Sequence, residues 1–369
     1  RAATSGSRAL LVLAGAGSGK TRVITYRLAR LLEKGVRPWE ILAVTFTNKA
    51  AGEMKERIAA LVGPQANRLW VSTFHATSAR ILRRDFHHLG RSTDFAIYDT
   101  SDSESVVREC IKELNITREE CTPRSVRNAI SYLKNHMMTP GDARKTIQQN
   151  DHQSEFRQAV AKLYPLYEEK LRAANALDFD DLLLYPLRLF KKHPDVLEQY
   201  QRRFRHLLID EYQDTNRAQY ELTVQMGDKA DSVCVVGDDD QSIYRWRGAH
   251  PENLDRFRED FAPVEVIRLE ENYRSTRAIL AGATAVVNRN VRRDPKRLIA
   301  RRGSGELIRI LELMDEEAEA ETVAGFIEKW TAPDEEFDAG DCAVFFRTAA
   351  QSRPVEESLI RRGIPYNLV

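Results

Sequence analysis

The sequence predicts an α/β fold on a parallel sheet, and three observations predict it. Short apolar runs recur along the chain, each followed by a helical pattern. The first run ends in a glycine-rich turn that opens directly into a helix. A long strand-free stretch then interrupts the series, which afterwards resumes.

Residues 9–13, Ala-Leu-Leu-Val-Leu, read as a strand buried on both faces, because no polar residue alternates with the apolar ones. The helix after them places Ile24, Leu28, Leu31 and Leu32 on one face. Ile41–Thr45 is the second expected strand, Lys49–Val62 the second helix and Leu69–Ser72 the third strand. Residues 101–176 hold one glycine, Gly141, and no strand pattern. Their pairs Thr122-Pro123 and Thr139-Pro140 suit an N-cap followed by proline at the first helical position. Phe156, Val160, Leu163, Tyr167 and Leu171 mark one helix face, so a helical block is inserted into an α/β domain. Strands resume at Leu207–Ile209 and Val233–Val236. Val264–Leu269, Glu306–Leu313 and Cys342–Phe346 read as the opening of a second α/β domain. The basic run Arg292-Arg293-Asp294-Pro295-Lys296-Arg297 reads as a solvated loop. The cluster Asp178, Asp180 and Asp181 reads as a helix N-terminus enriched in acids.

Lys and Arg number 56 against 55 Asp and Glu, so global charge does not argue for a nucleic-acid partner, and any basic groove must be local. Cys110, Cys121, Cys234 and Cys342 are scattered without a CxxC pair, which predicts reduced thiols in a cytosolic protein and no zinc site. No apolar run reaches the about 20 residues that a membrane span needs. The first residues carry neither a signal-peptide core nor an initiator Met, so the natural start is expected to lie upstream.

The chemistry-bearing segments are two. Ala14-Gly15-Ala16-Gly17-Ser18-Gly19-Lys20-Thr21 joins the first strand to the first helix. Small residues let backbone N–H groups turn toward a phosphate chain, and the helix N-terminus adds partial positive charge. Lys20 would reach the β- and γ-phosphates and Thr21 would offer its hydroxyl to Mg²⁺. The strict pattern has glycine where Ala14 stands, and alanine is small enough to serve. The second segment, Leu207-Leu208-Ile209-Asp210-Glu211, is an apolar strand ending in two acids. Asp210 suits the metal, and Glu211 suits the orientation and deprotonation of an attacking water.

Together with further runs, these segments resemble the UvrD/Rep/PcrA family of superfamily 1 DNA helicases, with Rep the nearest branch. The matching runs are AGAGSGKTR (14–22), AVTFTNKAAGEMKERI (43–58), STFH (72–75), LDFDDLL (177–183), LLIDEYQDTNRAQYEL (207–222), VVGDDDQSIYRWRGA (235–249), LEENYRST (269–276) and FRTAAQSRPVEESL (346–359). The resemblance implies a RecA-like P-loop NTPase domain from 1–80 and 177–260, a helical insertion over 81–176, and a partial second RecA-like domain over 261–369. It implies ATP and Mg²⁺ as cofactors and 3′-to-5′ translocation with strand separation on single-stranded, tailed or forked DNA, in cytoplasmic replication or repair at the nucleoid. By the resemblance, Gln241 senses the γ-phosphate, Tyr273 stacks on adenine, Arg274 meets the γ-phosphate and Arg22 lies near the base. It also places Phe46, Thr47, Asn48, Thr73, His75, Tyr244, Trp246 and Arg247 on DNA. Aromatics interleaved with arginines at 244–247 suit base stacking and phosphate contact. The family's adenine-binding glutamine would precede residue 1, and its second insertion and second catalytic arginine would follow Val369, so the chain is expected to be truncated at both ends. Two other readings stay open: a nucleotide-dependent DNA-binding module that does not unwind, and an NTPase acting on a protein or metabolite.

Overall fold

The computed structural model describes residues 1–117, 119, 121–148, 154–245, 248–290, 294–335 and 337–368. They divide into two compact units, Arg1–Glu306 and Leu307–Val369. The larger unit is built on a six-stranded parallel sheet. Its strands are β1 (Ala9–Ala14), β2 (Ile41–Thr45), β3 (Trp70–Thr73), β6 (His206–Ile209), β7 (Ser232–Gly237) and β8 (Val264–Leu269), in the order β3-β2-β6-β7-β1-β8. Two small parallel ladders complete the strands. One pairs β4 (Ala96–Ile97) with β5 (Ala176–Leu177), the other β9 (Glu271–Asn272) with β10 (Ile299–Ala300).

β1 shows why the apolar runs carry no alternation. All six of its residues are buried, with Leu11 and Leu13 in one core and Leu10 and Val12 in the other. Helices α1 (Lys20–Glu33) and α2 (Asn48–Val62) cover the second face through Ile24, Leu28, Met54 and Ile58. The first face is covered by α3 (Phe74–Asp85), α8 (Phe179–Lys192), α9 (Pro194–Arg203), α10 (Arg217–Gly227) and α11 (Asn253–Asp260). Each buried Leu or Val contributes about 1.5–3 kcal/mol by leaving water, so the sheet is held from both sides.

The inserted helical block comprises α4 (Thr100–Glu113), α5 (Pro123–Asn135), α6 (Pro140–Gln148) and α7 (Glu155–Ala173). Both Thr-Pro signals act as the sequence predicts. The Thr122 hydroxyl accepts from Ser125 N at 3.1 Å and that of Thr139 from Asp142 N at 3.2 Å, each with the proline opening the helix. Val160, Leu163, Tyr167 and Leu171 on α7 enter a core shared with Val107, Val126 and Ile130, and Phe156 packs at its margin.

β8 differs from the sequence expectation. Read as the opening of a second domain, it pairs instead with β1 from Ala9↔Val264 to Ala14↔Leu269 and forms the edge of the main sheet. Its residues are mostly half-buried, as an edge strand's are. The helix α12 (Arg277–Val287) lies between β9 and β10.

In the smaller unit, α13 (Glu316–Trp330) and α14 (Ser352–Arg361) pack through Ala324, Ile327 and Leu359. The expected strands at 306–313 and 342–346 are not ladder-paired among the described residues, and Leu307, Ile310 and Phe345 are exposed. β-propensity gives such segments an extended tendency, but a strand exists only with a neighbour. Among the described residues no helix is long and apolar enough to cross a membrane. Among the described residues none of the four cysteines is in a disulfide.

Candidate active site

The site lies at the carboxyl ends of the parallel strands, where an open α/β sheet leaves room for a ligand. β1 delivers the loop 14–19 and α1 begins at Lys20. Gly17 has φ +68°, and a Cβ there would stand 2.6 Å from Arg274 Cβ and 2.7 Å from Asn272 Nδ2. Glycine is therefore required twice over at this position, by backbone and by space. Ala14 and Gly15 are buried, Ser18 Oγ donates to Gly15 O at 2.6 Å, and Gly19 takes φ +94° at the helix entrance.

Lys20 is buried, with Nζ 3.7 Å from Glu211 Oε2. Asp210, at the end of β6, is fixed by its N–H donating to Val44 O at 2.9 Å. Burial, then the Glu211 charge, push its carboxyl up to about 7, against the pull of Lys20 and the Thr21 hydroxyl. Asp210 and Thr21 together offer the hard oxygen donors that Mg²⁺ favours. Glu211 holds a left-handed φ of +49°, which turns its side chain out of the strand's alternation. Its Oε2 accepts from Gln213 Nε2 at 2.8 Å, while Gln213 Oε1 accepts from Asp238 N at 2.9 Å. Gln241, in the turn after β7, donates through Nε2 to Asp238 Oδ2. A partly buried polar chain thus runs from Glu211 to Gln241.

Across the loop stand Asn272, Tyr273 and Arg274. Asn272 is 1% exposed and donates to Ala16 O at 2.6 Å, and its Oδ1 accepts from Arg274 N at 3.1 Å and Ser275 N at 2.7 Å. Tyr273 N donates to Gly17 O at 3.0 Å, and its ring is exposed. The Arg22 guanidinium lies over the Tyr26 ring, 5.3 Å from its centroid.

Of the residues expected on DNA, Phe46 and Tyr244 come together, their rings stacked at 5.1 Å and 21°. Thr47 and Asn48 are exposed where α2 begins, with the Thr47 hydroxyl capping that helix through Ala50 N. Thr73 is buried and its hydroxyl caps α3. The His75 ring meets the exposed Phe179 edge-on at 5.8 Å, and burial pushes its imidazole down from 6.5 to about 4. Trp246 and Arg247 lie outside the described residues, as do Arg292 and Arg293.

Three residues of the site were missed by sequence reading. Gln213 and Asn272 sit inside recognisable motifs, but their roles are contacts to chain far away. Lys296 corrects the solvated-loop reading of the basic run, because its side chain is 1% exposed and meets carboxylates of Asp238, Asp239 and Asp240. No local pattern marks one lysine in a basic run as the buried one.

A family described as the UvrD/REP helicase N-terminal domain matches residues 1–262, and the UvrD-like helicase C-terminal domain matches 267–369. The chain belongs to the UvrD/REP helicase family. UvrD helicase domains are RecA-like, and the parallel sheet with its glycine-rich loop is this chain's form of that fold. Among curated relatives, the ATP-dependent DNA helicase PcrA of Staphylococcus aureus strain Mu50 is 47% identical over 361 residues, 98% of this chain and 48% of the relative. The protein of the same name from Bacillus subtilis strain 168 is 45% identical over the same shares, and that from Staphylococcus epidermidis is 46% identical over 98% of this chain and 49% of the relative. The chain spans about half the length of the curated relatives it matches.

Proposed function

We propose that this chain carries the ATP-hydrolysing part of a DNA helicase that translocates 3′ to 5′ along single-stranded DNA and opens tailed or forked duplexes. The observation that carries the reading is the convergence of Lys20, Asp210, Glu211 and the Asn272–Arg274 segment on one glycine-rich loop. Loop N–H groups and Lys20 would hold the β- and γ-phosphates, and Thr21 and Asp210 would hold Mg²⁺. A metal held there would supply positive charge to offset the charge developing on the transferred phosphoryl group. Glu211 would orient and deprotonate the water, Gln241 would read the γ-phosphate, and Arg274 would meet it from the other side of the loop. Tyr273, with Arg22 nearby, would face the adenine. Phe46, Thr47, Asn48, Thr73, His75, Tyr244, Trp246 and Arg247 would line the single strand, with the Phe46–Tyr244 stack offering a surface for bases. The motor domain would comprise 1–80 and 177 onward through β8, with 81–176 its helical insertion and the chain beyond β8 the start of a second RecA-like domain. The protein would act in the cytoplasm on nucleoid DNA.

Substitution at the two ends of the Lys20–Glu211 pair tests this site in the longest natural protein that contains the chain. Lys20→Ala is expected to abolish ATP hydrolysis. Glu211→Gln is expected to retain ATP binding and lose turnover by about 100-fold or more, the size of effect that loss of general-base catalysis produces. Normal turnover in Lys20→Ala would sink the phosphate-loop assignment, and lost ATP binding in Glu211→Gln would make Glu211 structural.

A further inference from the structure

The acid triplet after β7 has the spacing of a metal site, since one oxygen from each of Asp238, Asp239 and Asp240 lies within 4.8 Å of the others. A lysine holds that place instead. Lys296 Nζ lies 2.5 Å from Asp238 Oδ1 and 3.3 Å from Asp240 Oδ2, and it also donates to Asp239 Oδ1. Burial works against its charge, but the Asp238 and Asp239 carboxylates outweigh burial and hold its pKa above the ordinary lysine value. The neighbouring Asp294 strengthens the attachment. Its N–H donates to Asp239 Oδ2 at 2.6 Å, and its carboxylate pairs with Arg258 at 2.7 Å.

Asp238 connects this cluster to the chemistry. One of its oxygens accepts from Lys296, and the other accepts from Gln241 Nε2. A carboxylate only accepts, so it fixes which end of the Gln241 amide faces it. Its backbone N–H is held by Gln213, which also donates to Glu211. Lys296 is two residues from Leu298, whose side chain lies so close to Gly15 that a Cβ there would stand 2.4 Å from Leu298 Cδ2. The segment after α12 thus touches the phosphate loop and the Gln241 turn together.

We propose that Lys296 is a positioning residue for ATP hydrolysis: its ammonium gathers Asp238, Asp239 and Asp240 so that Asp238 holds the Gln241 amide in its working orientation. Without the cation, three adjacent carboxylates repel one another and Asp238 leaves its place. The inference rests on the ATPase reading above and extends it to a residue that acts through Asp238 on Gln241.

A double-mutant cycle on single-stranded-DNA-stimulated ATP hydrolysis tests it, with the parent, Lys296→Met, Gln241→Ala and the double variant compared in the longest natural protein containing the chain. Lys296→Met is expected to lower kcat about tenfold with KM for ATP within about twofold, and to have no further effect once Gln241 is alanine. Lys296→Arg, which keeps the cation, is expected to recover kcat to within about threefold of the parent. If Lys296→Met does not fold, Lys296→Gln replaces it in the same cycle with the same expectations. An equal loss of kcat in both Gln241 backgrounds, or a loss confined to KM, would overturn the proposal and leave the ATPase reading standing. A parent that hydrolyses no ATP overturns that reading, and the proposal with it.

Discussion

Asp210 and Glu211 are neighbours in sequence but meet different surroundings. Asp210 ends a buried strand, its carboxyl pushed up by burial and by Glu211, a state that a bound cation would reverse. Glu211 is turned by a left-handed backbone onto Lys20 and Gln213. The sequence makes this pair legible because strand, Asp and Glu are contiguous, and the same holds for Lys20 in its loop. Lys296 and Asn272 were not legible in this way, since each acts on chain more than fifty residues distant, Asp238 and Ala16 respectively. His75 adds a pH dependence at this scale. The unfolded chain protonates this imidazole near 6.5 and the folded protein only near 4, so between them the unfolded state binds more protons. His75 therefore costs no stability above about pH 6.5 and costs progressively more as pH falls toward 4. Resolved imidazole NMR signals are expected to show His75 neutral at pH 6, and His75→Gln to flatten the acid-side loss of stability. A His75 midpoint near 6.5 would contradict the burial argument.

At the scale of elements, local signals and tertiary pairing divide what sequence reading recovers. Helix starts were legible where caps are local, as at Thr122-Pro123 and Thr139-Pro140. Strand identity was legible for β1, β2 and β6, but the sheet that β8 joins was not, because pairing depends on a strand remote in sequence. The acid cluster at 178–181 shows both levels. Asp178 caps α8 and Asp181 closes the capping box, as an N-terminal cluster should. The same carboxylates surround Lys134 of α5, at 2.7 Å and 2.8 Å, and Glu168 of α7 stands at 2.6 Å. Burial opposes the Lys134 charge, but the surrounding carboxylates outweigh it and keep its pKa raised. This one ammonium ties the inserted block to the helix layer on the sheet. Asn135 beside it donates to Asp180 at 3.0 Å and accepts from Asn216, the cap of α10, at 2.9 Å. Removing a buried partner costs about 3–5 kcal/mol because the remaining charges are left uncompensated. Lys134→Met is expected to lose that much in urea unfolding, whereas Lys170→Met, at a partly exposed ion pair, is expected to change much less. Equal effects would remove the case for the Lys134 junction.

For the whole molecule, family membership and the arrangement of the site point the same way. The glycine-rich loop, the acids of β6 and the Gln241 turn share one edge of the sheet with the Phe46–Tyr244 stack. Asp210 N donates to Val44 O, two residues before Phe46, so the strand that ends in the carboxylates is bonded to the strand that leads to the aromatic stack. If the loop holds nucleotide and the stack holds bases, as proposed above, their adjacent strand ends give each a direct route to bias the other. DNA binding and ATP turnover are therefore expected to be coupled, and the steady-state ATPase rate with and without single-stranded DNA reads that coupling. The expected result is a rate that rises about tenfold or more on saturating single strands and falls back as salt displaces the DNA. Turnover that single-stranded DNA leaves unchanged at low salt would contradict that coupling.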